Sequence, residues 1–317
     1  MNNKDKYREL CKVEPMIPIF SKDWWLDAVA GEENWDVVLI EKGDDIVASL
    51  PYVIKKKFFL RYISMPKLTQ TAGIWMKYPD GQKYANKISF EREVCKEIIE
   101  KLPSVDAFSQ NFHYSFTNWL PFYWEGFNQT TFYTYILENL KDHQKLFTQF
   151  KENIRREIRK AEKKVKVYNS DSIEDFFLMV KKTFDRQNQP IPYDLELLRK
   201  IDAACTKEKC RKIFFAADEG NQVHSAIFII WDSQSAYYLM GGGDPELRNS
   251  GATSLLMWEA IKFSSTVTAN FNFEGSMIQS IERFFSAFGA IQKPYFHISK
   301  TNSAVIKIHT AWKELLK

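Results

Sequence analysis

The stretch Tyr237-Tyr-Leu-Met-Gly-Gly-Gly-Asp-Pro-Glu-Leu-Arg-Asn-Ser-Gly-Ala-Thr-Ser-Leu-Leu256 decides the fold of this 317-residue chain. An aromatic and apolar run that ends at Gly241-Gly-Gly243 predicts a strand, and the apolar pattern after Ser250 predicts a helix. The glycine-rich loop between them is not a Walker A sequence, because no Gly-Lys-Ser/Thr follows the glycines. The stretch therefore predicts a strand–loop–helix unit without an ATP-binding P-loop.

Within this stretch, Arg248-x-x-Gly251-Ala252 has the chemistry of an anion site. Small residues at a helix start let a phosphate approach the free N–H groups, and the helix dipole favours negative charge there. The Arg248 guanidinium can add a bidentate contact. A helix that starts with Ser250 as its N-cap and uses Gly251 for close packing explains the same residues. Both interpretations remain open at the level of sequence.

Strands and helices alternate outward from this stretch in both directions. In the portion up to about residue 134, the pattern predicts helices over Trp24–Ala30 and Glu91–Lys101 and strands over Val37–Ile40, Ile46–Leu50, Val105–Phe108 and Gln129–Leu137. In the second portion, it predicts helices over Lys141–Lys166, Ser172–Gln187, Ser250–Ser264, Met277–Phe288 and Ser303–Lys317. The strands predicted there are Lys212–Ala217, Val223–Trp231, Ala236–Met240, Asn270–Phe273 and Pro294–Ser299.

The composition is that of a folded protein with free thiols. The chain is 45% hydrophobic and 15% aromatic, with a formal net charge of +4, which excludes a disordered or low-complexity protein. Four Cys exclude a disulfide scaffold, and Cys205-x4-Cys210 has no second Cys/His pair nearby, so we expect no metal site. The polar N-terminus and the shortness of every apolar run predict a cytoplasmic protein without a transmembrane segment.

Positive charge is concentrated between Lys141 and Lys166. That segment holds ten basic and four acidic residues, a net charge of +6, so the rest of the chain sums to −2. Apolar residues at spacings of three and four predict one long helix, with Arg155 and Arg159 in a basic row off the apolar stripe. The row is either a solvated face held by pairs with glutamates such as Glu152 or a phosphate-binding face for a nucleotide or an RNA backbone.

Several short sequences, taken as a set, resemble one known family. They are Trp24-Trp-Leu26, Leu50-Pro-Tyr52, Leu68-Thr-Gln-Thr-Ala-Gly-Ile74, Lys151-Glu-Asn-Ile-Arg-Arg-Glu-Ile-Arg-Lys-Ala-Glu162, Arg248-x-x-Gly251-Ala252, Phe271-Asn-Phe-Glu-Gly-Ser276 and Ile281-Glu-Arg-Phe-Phe-Ser-Ala-Phe-Gly289. The set is similar to the acetyltransferase-like (GNAT) N-acyltransferases, in the branch related to the Fem peptidoglycan-branching aminoacyltransferases. Asn272 stands where that branch has Asp. The resemblance covers nearly the whole chain.

The resemblance implies an α+β (mixed α/β) fold of two tandem GNAT-like lobes, each a mixed, mostly antiparallel sheet flanked by helices. It places the lobes at residues 1–134 and 135–317, with the C-terminal helix free to pack back on the first lobe. The long heptad hairpin that several Fem members insert into their second lobe has no counterpart in this sequence.

The family transfers an acyl or aminoacyl group to an amine. The resemblance therefore implies transfer to an amine of a cell-envelope, peptidoglycan-type precursor. The donor is acyl-CoA or aminoacyl-tRNA, the latter through a tRNA contact with residues 141–166, and no cofactor is tightly bound. One alternative, favoured by the missing hairpin, is an acyl-CoA-dependent acetyltransferase for an amino sugar or polysaccharide precursor. Another is a non-catalytic RNA- or anion-binding module on the same fold.

Acyl transfer to an amine needs a neutral amine, donors for the oxyanion and aligned substrates. The sequence has no Ser-His-Asp set and no convincing nucleophilic Cys, which favours direct transfer without a covalent enzyme intermediate. Glu274, at a Gly-Ser turn after a strand, is the candidate base or amine-orienting group. Tyr238 is the candidate hydrogen-bond donor to the oxyanion or leaving group. Lys300 follows a strand, where Fem relatives carry a cation near the transferred carbonyl.

Binding residues are expected at three further places. The donor phosphates are expected at Arg248, Gly251 and Ala252, with Arg155 and Arg159 from the basic segment. A polar loop bounded by apolar residues is expected to line the acceptor cleft between the lobes with Thr69, Gln70 and Gly73. The run Lys55-Lys-Lys57 either meets an acceptor diphosphate or is a solvated strand edge.

Overall fold

The computed structural model describes residues 1–275, 277–304 and 306. The helices bounded within them are α1 (Asn3–Val13), α2 (Asp23–Ala30), α3 (Tyr84–Lys101), α4 (Leu120–Trp124), α5 (His143–Gln149), α6 (Glu152–Ala161), α7 (Ile173–Arg186), α8 (Leu195–Lys207), α9 (Ala252–Ser264) and α10 (Gln279–Ser286). The strands are β1 (Trp35–Lys42), β2 (Asp45–Lys57), β3 (Leu60–Ser64), β4 (Trp75–Met76), β5 (Ala107–Asn111), β6 (Asn128–Leu137), β7 (Lys166–Asn169), β8 (Arg211–Ala217), β9 (Val223–Trp231), β10 (Ser235–Gly243), β11 (Asn270–Asn272) and β12 (Ile291–Thr301).

The chain divides into two compact units. Unit 1 holds Met1–Phe132 together with the chain from Pro294 onward, and unit 2 holds Tyr133–Lys293. The first boundary lies next to the predicted one at residue 134. The second differs from the predicted lobe 135–317, because β12 pairs with β5 of unit 1 from His297↔Asn111 to Thr301↔Ala107. The last strand in sequence thus completes the first unit.

Unit 1 is a mixed sheet. Its strand order is β1-β2-β3-β5-β12, with β4 beside β2. β1, β2 and β3 are antiparallel, β3 and β5 are parallel, and β5 and β12 are antiparallel. Helix α3 lies in the connection between the two parallel strands and buries Val94, Cys95 and Ile98 in the same core as Ile298 of β12.

Unit 2 repeats the same pattern. Its strand order is β6-β11-β10-β9-β8-β7, and its one parallel pair among the described residues, β10 with β11, is connected by α9. β9 is buried along almost its whole length because it is central in the sheet, which explains its continuous apolar run. Helix α9 is buried nearly all round, and Leu256, Met257 and Ile261 are fully enclosed.

The segment 141–166 is not the single helix that its periodicity predicts. α5 ends at Gln149 and α6 begins at Glu152, and the two residues between them are extended. Phe150 is buried there, edge-on against Trp258 and Phe288, with ring centroids 5.2 and 5.1 Å away, and the Lys151 N–H donates to the Ala287 carbonyl (2.8 Å). The free energy gained by burying the Phe150 ring exceeds the net free energy of the helical hydrogen bonds lost at the break.

One further prediction is corrected by the structure, and some helices were not predicted. The three glycines Gly241–Gly243 belong to β10, where they pair with Ile227, Ala226 and Ser225 of β9, and the loop begins only at Asp244. Helices α1, α4 and α8 had no counterpart in the sequence prediction. The predicted helix over residues 303–317 lies almost entirely outside the described residues. Within the described part of the chain, no helix combines the length and apolarity required to cross a membrane.

Candidate functional site

The parallel strands of unit 2 separate shortly after they begin to pair. β10 and β11 are in register only from Ser235↔Asn270 to Tyr237↔Asn272. Tyr238 and Glu274 therefore follow the last paired residues of the two strands, at the same edge of the sheet. Beyond this point β10 has no registered partner on its β11 side among the residues that the structure describes, so a substrate can reach backbone groups there.

A β-bulge interrupts β10 at the same place. Tyr238 opposes Ile229 and Met240 opposes Phe228, so Leu239 is the extra residue. A bulge leaves the extra residue outside the regular ladder and re-aims the backbone. An N–H freed in this way can donate to the oxygen of a reacting carbonyl, the requirement of an oxyanion site.

A cavity of about 200 Å³ adjoins the bulge. It is lined by Thr183, Arg186, His224, Tyr238, Gly241, Gly242, Gly243, Asp244, Pro245, Leu247, Arg248, Ser250, Ala252 and Thr253. One carboxylate among them, Asp244, is already neutralised by an ion pair with Lys182 (2.6 Å), which lowers the pKa of Asp244. Arg186 and Arg248 form no ion pair within the described part of the chain, so the cavity is electropositive.

The start of α9 forms one wall of this cavity. Gly251 is its N-cap, with φ +82°, and has no side chain that could accept a hydrogen bond from the helix start. A Cβ at Gly251 would lie 2.4 Å from the carbonyl oxygen of Glu157 in α6, and Ser254 Oγ donates to the Glu157 carboxylate (2.5 Å). The helix start is thus fixed by packing against α6. Apart from the N–H of Ala252, its first N–H groups have no side-chain acceptor among the described residues and can meet an anion.

The predicted N-cap Ser250 lies one residue before the observed N-cap, but its hydroxyl still accepts from the helix start. Ser250 ends the short 3-10 turn Arg248–Ser250, and its Oγ accepts from the N–H of Ala252, the first residue of α9 (3.3 Å). That turn presents the exposed Arg248 on the cavity. Arg248 and Ala252 both line the cavity, which the anion interpretation of the motif requires. The contacts of Ser250 and Gly251 agree with the helix-start interpretation as well.

The glycines of β10 serve close packing. A Cβ at Gly242 would lie 2.4 Å from the Met179 carbonyl oxygen of α7, and one at Gly241 would lie 2.5 Å from the Tyr238 hydroxyl. α7 can therefore approach the strand, and the Tyr238 ring can lie along it. Burial, and secondarily the Tyr193 hydroxyl, raise the pKa of Tyr238, so its hydroxyl keeps its proton at neutral pH and can donate.

Glu274 is held in an unusual conformation. It has φ +64°, a left-handed value that is rare for a residue with a side chain. Its N–H donates to Asn272 Oδ1 (2.8 Å), which also accepts from the Thr134 hydroxyl (2.5 Å), and a Cβ at Gly275 would collide with the Tyr133 carbonyl. Its Oε1 is buried with no hydrogen-bond partner among the described residues. Burial raises the pKa of the Glu274 carboxyl well above its usual range.

The remaining predicted residues of the basic segment lie on α6. Arg155 pairs with Glu152 (2.6 Å) and donates to the Thr148 carbonyl (3.3 Å), and Arg159 also approaches Glu152 (3.7 Å). Both cations therefore have an intrahelical acidic partner, as in the solvated-face interpretation of this segment.

The other predicted residues lie in unit 1. The Lys300 ammonium donates to the Glu125 carbonyl (2.6 Å) and lies 4.8 Å from the centroid of the Phe127 ring. Thr69 accepts from Trp25 Nε1 (3.0 Å), and the Gly73 N–H donates to the Ser21 hydroxyl (2.9 Å). These contacts tie the loop to the N-terminal part of the unit.

Gln70 differs from its two loop neighbours. Its carbonyl accepts from Asn111 Nδ2 (2.9 Å), but its side-chain Nε2 is buried without a hydrogen-bond partner among the described residues. Of the three loop residues predicted for the acceptor cleft, Gln70 is therefore the one with a side-chain donor that lacks a partner in the described part of the chain.

Two cavity residues escaped the sequence analysis. Arg186 is the last residue of α7, and His224 lies on β9 with its Nε2 3.1 Å from the Asp218 carboxylate. Nothing in their local sequence distinguishes them from other surface arginines and strand histidines. Only the packing of α7 over the glycines of β10 brings Arg186 to the cavity.

Comparison with known proteins supports this topology. Residues 148–266, which include most of the cavity wall, match the profile described as Acetyltransferase (GNAT) domain. The crystal structure of FemX has a TM-score of 0.68 at 12% identity, over 93% of this chain and 96% of that one. A tandem GNAT protein from the clavulanic acid biosynthesis pathway has a TM-score of 0.53 at 8% identity, over 94% and 95%.

A third structure comes from Agrobacterium fabrum. It is a C-terminal domain from a protein described as a lysylphosphatidylglycerol synthetase, with a TM-score of 0.56 at 10% identity, over 99% of this chain and 98% of that one. No curated protein matches the sequence. Residues 148–266 thus match a GNAT acetyltransferase domain, and the chain shares its fold with FemX and with a tandem GNAT protein.

Proposed function

We propose that this chain transfers an acyl group from acyl-CoA to an amine of a cell-envelope precursor, by direct attack. The observation that carries the proposal is the start of α9 at its glycine N-cap, which opens beside the unpaired Arg248 on a cavity that adjoins the β10 bulge. A phosphorylated donor needs the helix start and the Arg248 guanidinium to bind its phosphates. The carbonyl of the transferred group needs the backbone that the bulge frees.

The fit to a CoA-type donor rests on these residues. The N–H groups that follow Gly251 would bind a phosphate, and Arg248 and Arg186 would add charge-assisted hydrogen bonds. The donor supplies a thioester, whose acyl carbon is the electrophile. The freed backbone at Leu239 would donate to its carbonyl oxygen and stabilise the negative charge that develops there.

Glu274 and Tyr238 supply the proton transfers of the proposed reaction. The Glu274 carboxylate accepts a proton from the amine as the new C–N bond forms, and a raised pKa makes it a stronger base than an exposed glutamate. Tyr238 donates a hydrogen bond to the thiolate that departs as the C–S bond breaks. The products are an amide and a free thiol, and solvent returns the proton from Glu274 to the leaving group.

The acceptor class is suggested by the neighbours. The Agrobacterium protein is named for an aminoacylated membrane phospholipid, and its domain shares this fold. An amine-bearing envelope precursor is therefore the acceptor that we propose, with the buried amide of Gln70 in unit 1 as a candidate contact. We also propose the Lys300 ammonium as a contact of the acyl carbonyl, to be tested by substitution.

Aminoacyl-tRNA is the competing donor. It would use the cations Arg155 and Arg159 predicted for it on α6, but both approach Glu152. An ion pair of this kind reduces the charge that a phosphate backbone meets. Acyl-CoA at the α9 cavity is the donor that these contacts favour.

Calorimetry tests the proposal with acetyl-CoA, free CoA and charged tRNA as separate titrants. We expect micromolar binding of CoA, weakened about tenfold or more in Arg248→Ala, since a hydrogen bond between charged groups contributes about 1.5–3 kcal/mol. Lys163→Ala, an exposed cation after α6, is the matched control and should bind CoA like the wild type. Binding of tRNA alone, lost in Arg155→Gln/Arg159→Gln, would replace acyl-CoA by aminoacyl-tRNA.

A further inference from the structure

The β2–β3 hairpin of unit 1 carries two exposed aromatic side chains at its tip. The strands pair from Ile54↔Ile63 to Lys57↔Leu60, and Phe58 and Phe59 form the two-residue turn. Phe58 is 89% exposed and Phe59 is 79% exposed. Two adjacent Phe rings exposed to water lack the favourable free energy that burial would give them. Their exposure at the hairpin tip therefore indicates a partner that covers them.

The turn itself does not explain these residues. Two-residue hairpin turns favour Asn-Gly or Asp-Gly, because their backbone enters the left-handed region. Phe58 has φ +56°, a conformation that a bulky side chain rarely adopts. The residues at this turn are thus poor for local stability, which is typical of a site kept for binding.

The flanking charge has one sign. Residues 55–67 contain Lys55, Lys56, Lys57, Arg61 and Lys67 and no Asp or Glu. All five are exposed, and in the described part of the chain none forms an ion pair with an acidic side chain. Arg155 and Arg159 of α6, by comparison, do have a glutamate partner.

An open groove lies behind the tip. Its volume is about 840 Å³, and its lining includes Lys55, Lys56, Arg61 and Lys67, with Glu33 and Asp36 as the acidic residues. The Lys55 ammonium donates to the Met65 carbonyl (3.0 Å), and burial together with the charge of Lys67 lowers the pKa of Lys55. Cations that repel one another without an acidic partner are stabilised when phosphate oxygens reach the groove.

We propose that the β2–β3 hairpin is a membrane-docking tip, which inserts Phe58 and Phe59 into the interface of an anionic bilayer while Lys56, Lys57 and Arg61 contact lipid phosphates. Aromatic rings are favoured at the level of the lipid headgroups, and basic residues beside them are attracted by the negative surface. Single-stranded nucleic acid would instead need ring faces along a groove, whereas these rings stand beyond the last strand pair. The proposal does not depend on the acyl donor.

Vesicle co-sedimentation of the full chain tests the docking tip. Vesicles of phosphatidylcholine and phosphatidylglycerol in equal amounts should bind the protein, and pure phosphatidylcholine vesicles should not. Lys56→Gln/Lys57→Gln should lower the partition coefficient about thirtyfold, because each basic residue near an anionic surface contributes about a factor of five. Phe58→Ser/Phe59→Ser should reduce binding at least as far.

Matched variants carry the same chemical changes elsewhere. Lys163→Gln/Lys164→Gln removes two exposed charges after α6, and Tyr84→Ser removes an aromatic ring that is 76% exposed at the start of α3. Both should bind vesicles like the wild type. All these side chains lie at the surface, so thermal unfolding should be little changed and loss of binding will not reflect loss of fold.

Insertion has its own readout. The four native cysteines are buried, so a polarity-sensitive dye can be placed selectively at Phe59→Cys and, as a control, at Lys164→Cys. Anionic vesicles should shift the emission to the blue at position 59 alone. The proposal is overturned if the Phe58→Ser/Phe59→Ser variant binds vesicles like the wild type, if RNA but no vesicle binds the tip, or if these Phe rings instead hold a dimer without lipid.

Discussion

Glu274 combines a left-handed backbone with a buried carboxyl oxygen that has no partner among the described residues. Each feature destabilises the fold, by roughly 1 kcal/mol or more. The network of Thr134, Asn272 and Gly275 nevertheless holds the residue in place. Such an arrangement at a strand end is what a base of raised pKa requires, so stability and activity are expected to respond in opposite directions to its replacement.

The first prediction concerns stability and its pH dependence. Burial raises the pKa of folded Glu274 above the value of about 4.3 in the unfolded chain. The folded state therefore holds the proton more tightly, and this contribution to stability is complete below about pH 4.3 and is lost as the pH rises through the folded pKa. Glu274→Gln, which resembles the protonated acid, should raise the free energy of unfolding at neutral pH by about 1 kcal/mol.

Urea unfolding at several pH values measures this difference. The gain should shrink as the pH falls towards about 4.3. Glu246→Gln, an exposed carboxyl on the loop after β10, is the control and should show no such trend. A gain for Glu274→Gln that stays constant from acid to neutral pH would mean that the carboxyl is ordinary in the folded state.

The second prediction concerns the same side chain in catalysis. As a general base, Glu274 should contribute about 100-fold to 10,000-fold to the rate. Glu274→Gln should lower kcat by such a factor with little change in the KM for the acyl donor. The wild-type pH profile of kcat/KM should rise with a midpoint above the ordinary glutamate value, and this rise should be absent in the variant. Equal kcat values for the two proteins would remove Glu274 from the mechanism.

At the scale of elements, the contact of α9 with α6 fixes the proposed anion site, and the third prediction tests it. Gly251→Ala places a Cβ 2.4 Å from a backbone oxygen at φ +82°, so α9 must move. We expect a loss of at least about 2 kcal/mol in stability. Weaker donor binding should accompany it, because the free N–H groups shift with the helix.

Gly43→Ala separates the cost of a left-handed backbone from the cost of the steric clash with α6. Gly43 also has a positive φ, +64°, but a Cβ there meets nothing within 4 Å. The Gly43→Ala variant should lose only the cost of the left-handed backbone, about 1 kcal/mol of the free energy of unfolding. It should bind the donor like the wild type. Thermal unfolding and calorimetry of both variants measure these effects, and equal losses would show that packing against α6 is unimportant.

Elements dominated by one strong local pattern were predictable from the sequence. The continuous apolar run of β9 was predicted with its observed bounds, and the helix over Ser250–Ser264 was two residues too long at its start. The break at Phe150 was not predictable, because it depends on Trp258 and Phe288, more than 100 residues away in sequence. Periodicity continues across such a break, since the buried stripe is the same on both helices.

The candidate site was predicted unevenly for the same reason. Arg248, Gly251 and Ala252 lie in one short segment, so their proximity followed from the sequence, and Arg248 and Ala252 line the cavity. The bulge at Leu239, the cavity residues Arg186 and His224 and the orphaned oxygen of Glu274 depend on how strands and helices pack. The glycines of β10 allow α7 to pack closely on the strand. From the sequence alone, such glycines cannot be told apart from those of a flexible loop.

At the scale of the whole molecule, the order of strands in the chain differs from their order in unit 1. β5 pairs with β12, and one contact of this pair, His297 Nδ1 with Asn111 Oδ1 (2.8 Å), joins residues 186 positions apart. Between them lies all of unit 2. Closing so long a loop costs about 3–4 kcal/mol more than closing a three-residue hairpin turn, at about 0.6 kcal/mol per doubling of loop length.

The fourth prediction follows from this connectivity. Unit 2 is continuous in sequence, so its central strands β8, β9 and β10 can pair before β12 reaches β5, and once folded it replaces most of the flexible loop between them. Pulsed hydrogen exchange during refolding should show protection of β8–β10 before that of Ala107–Asn111. The hairpin of β1 and β2, joined at Lys42↔Asp45, is the control within unit 1 and should gain protection early. Protection of β5 together with β9 would mean that the long loop closes before unit 2 has folded.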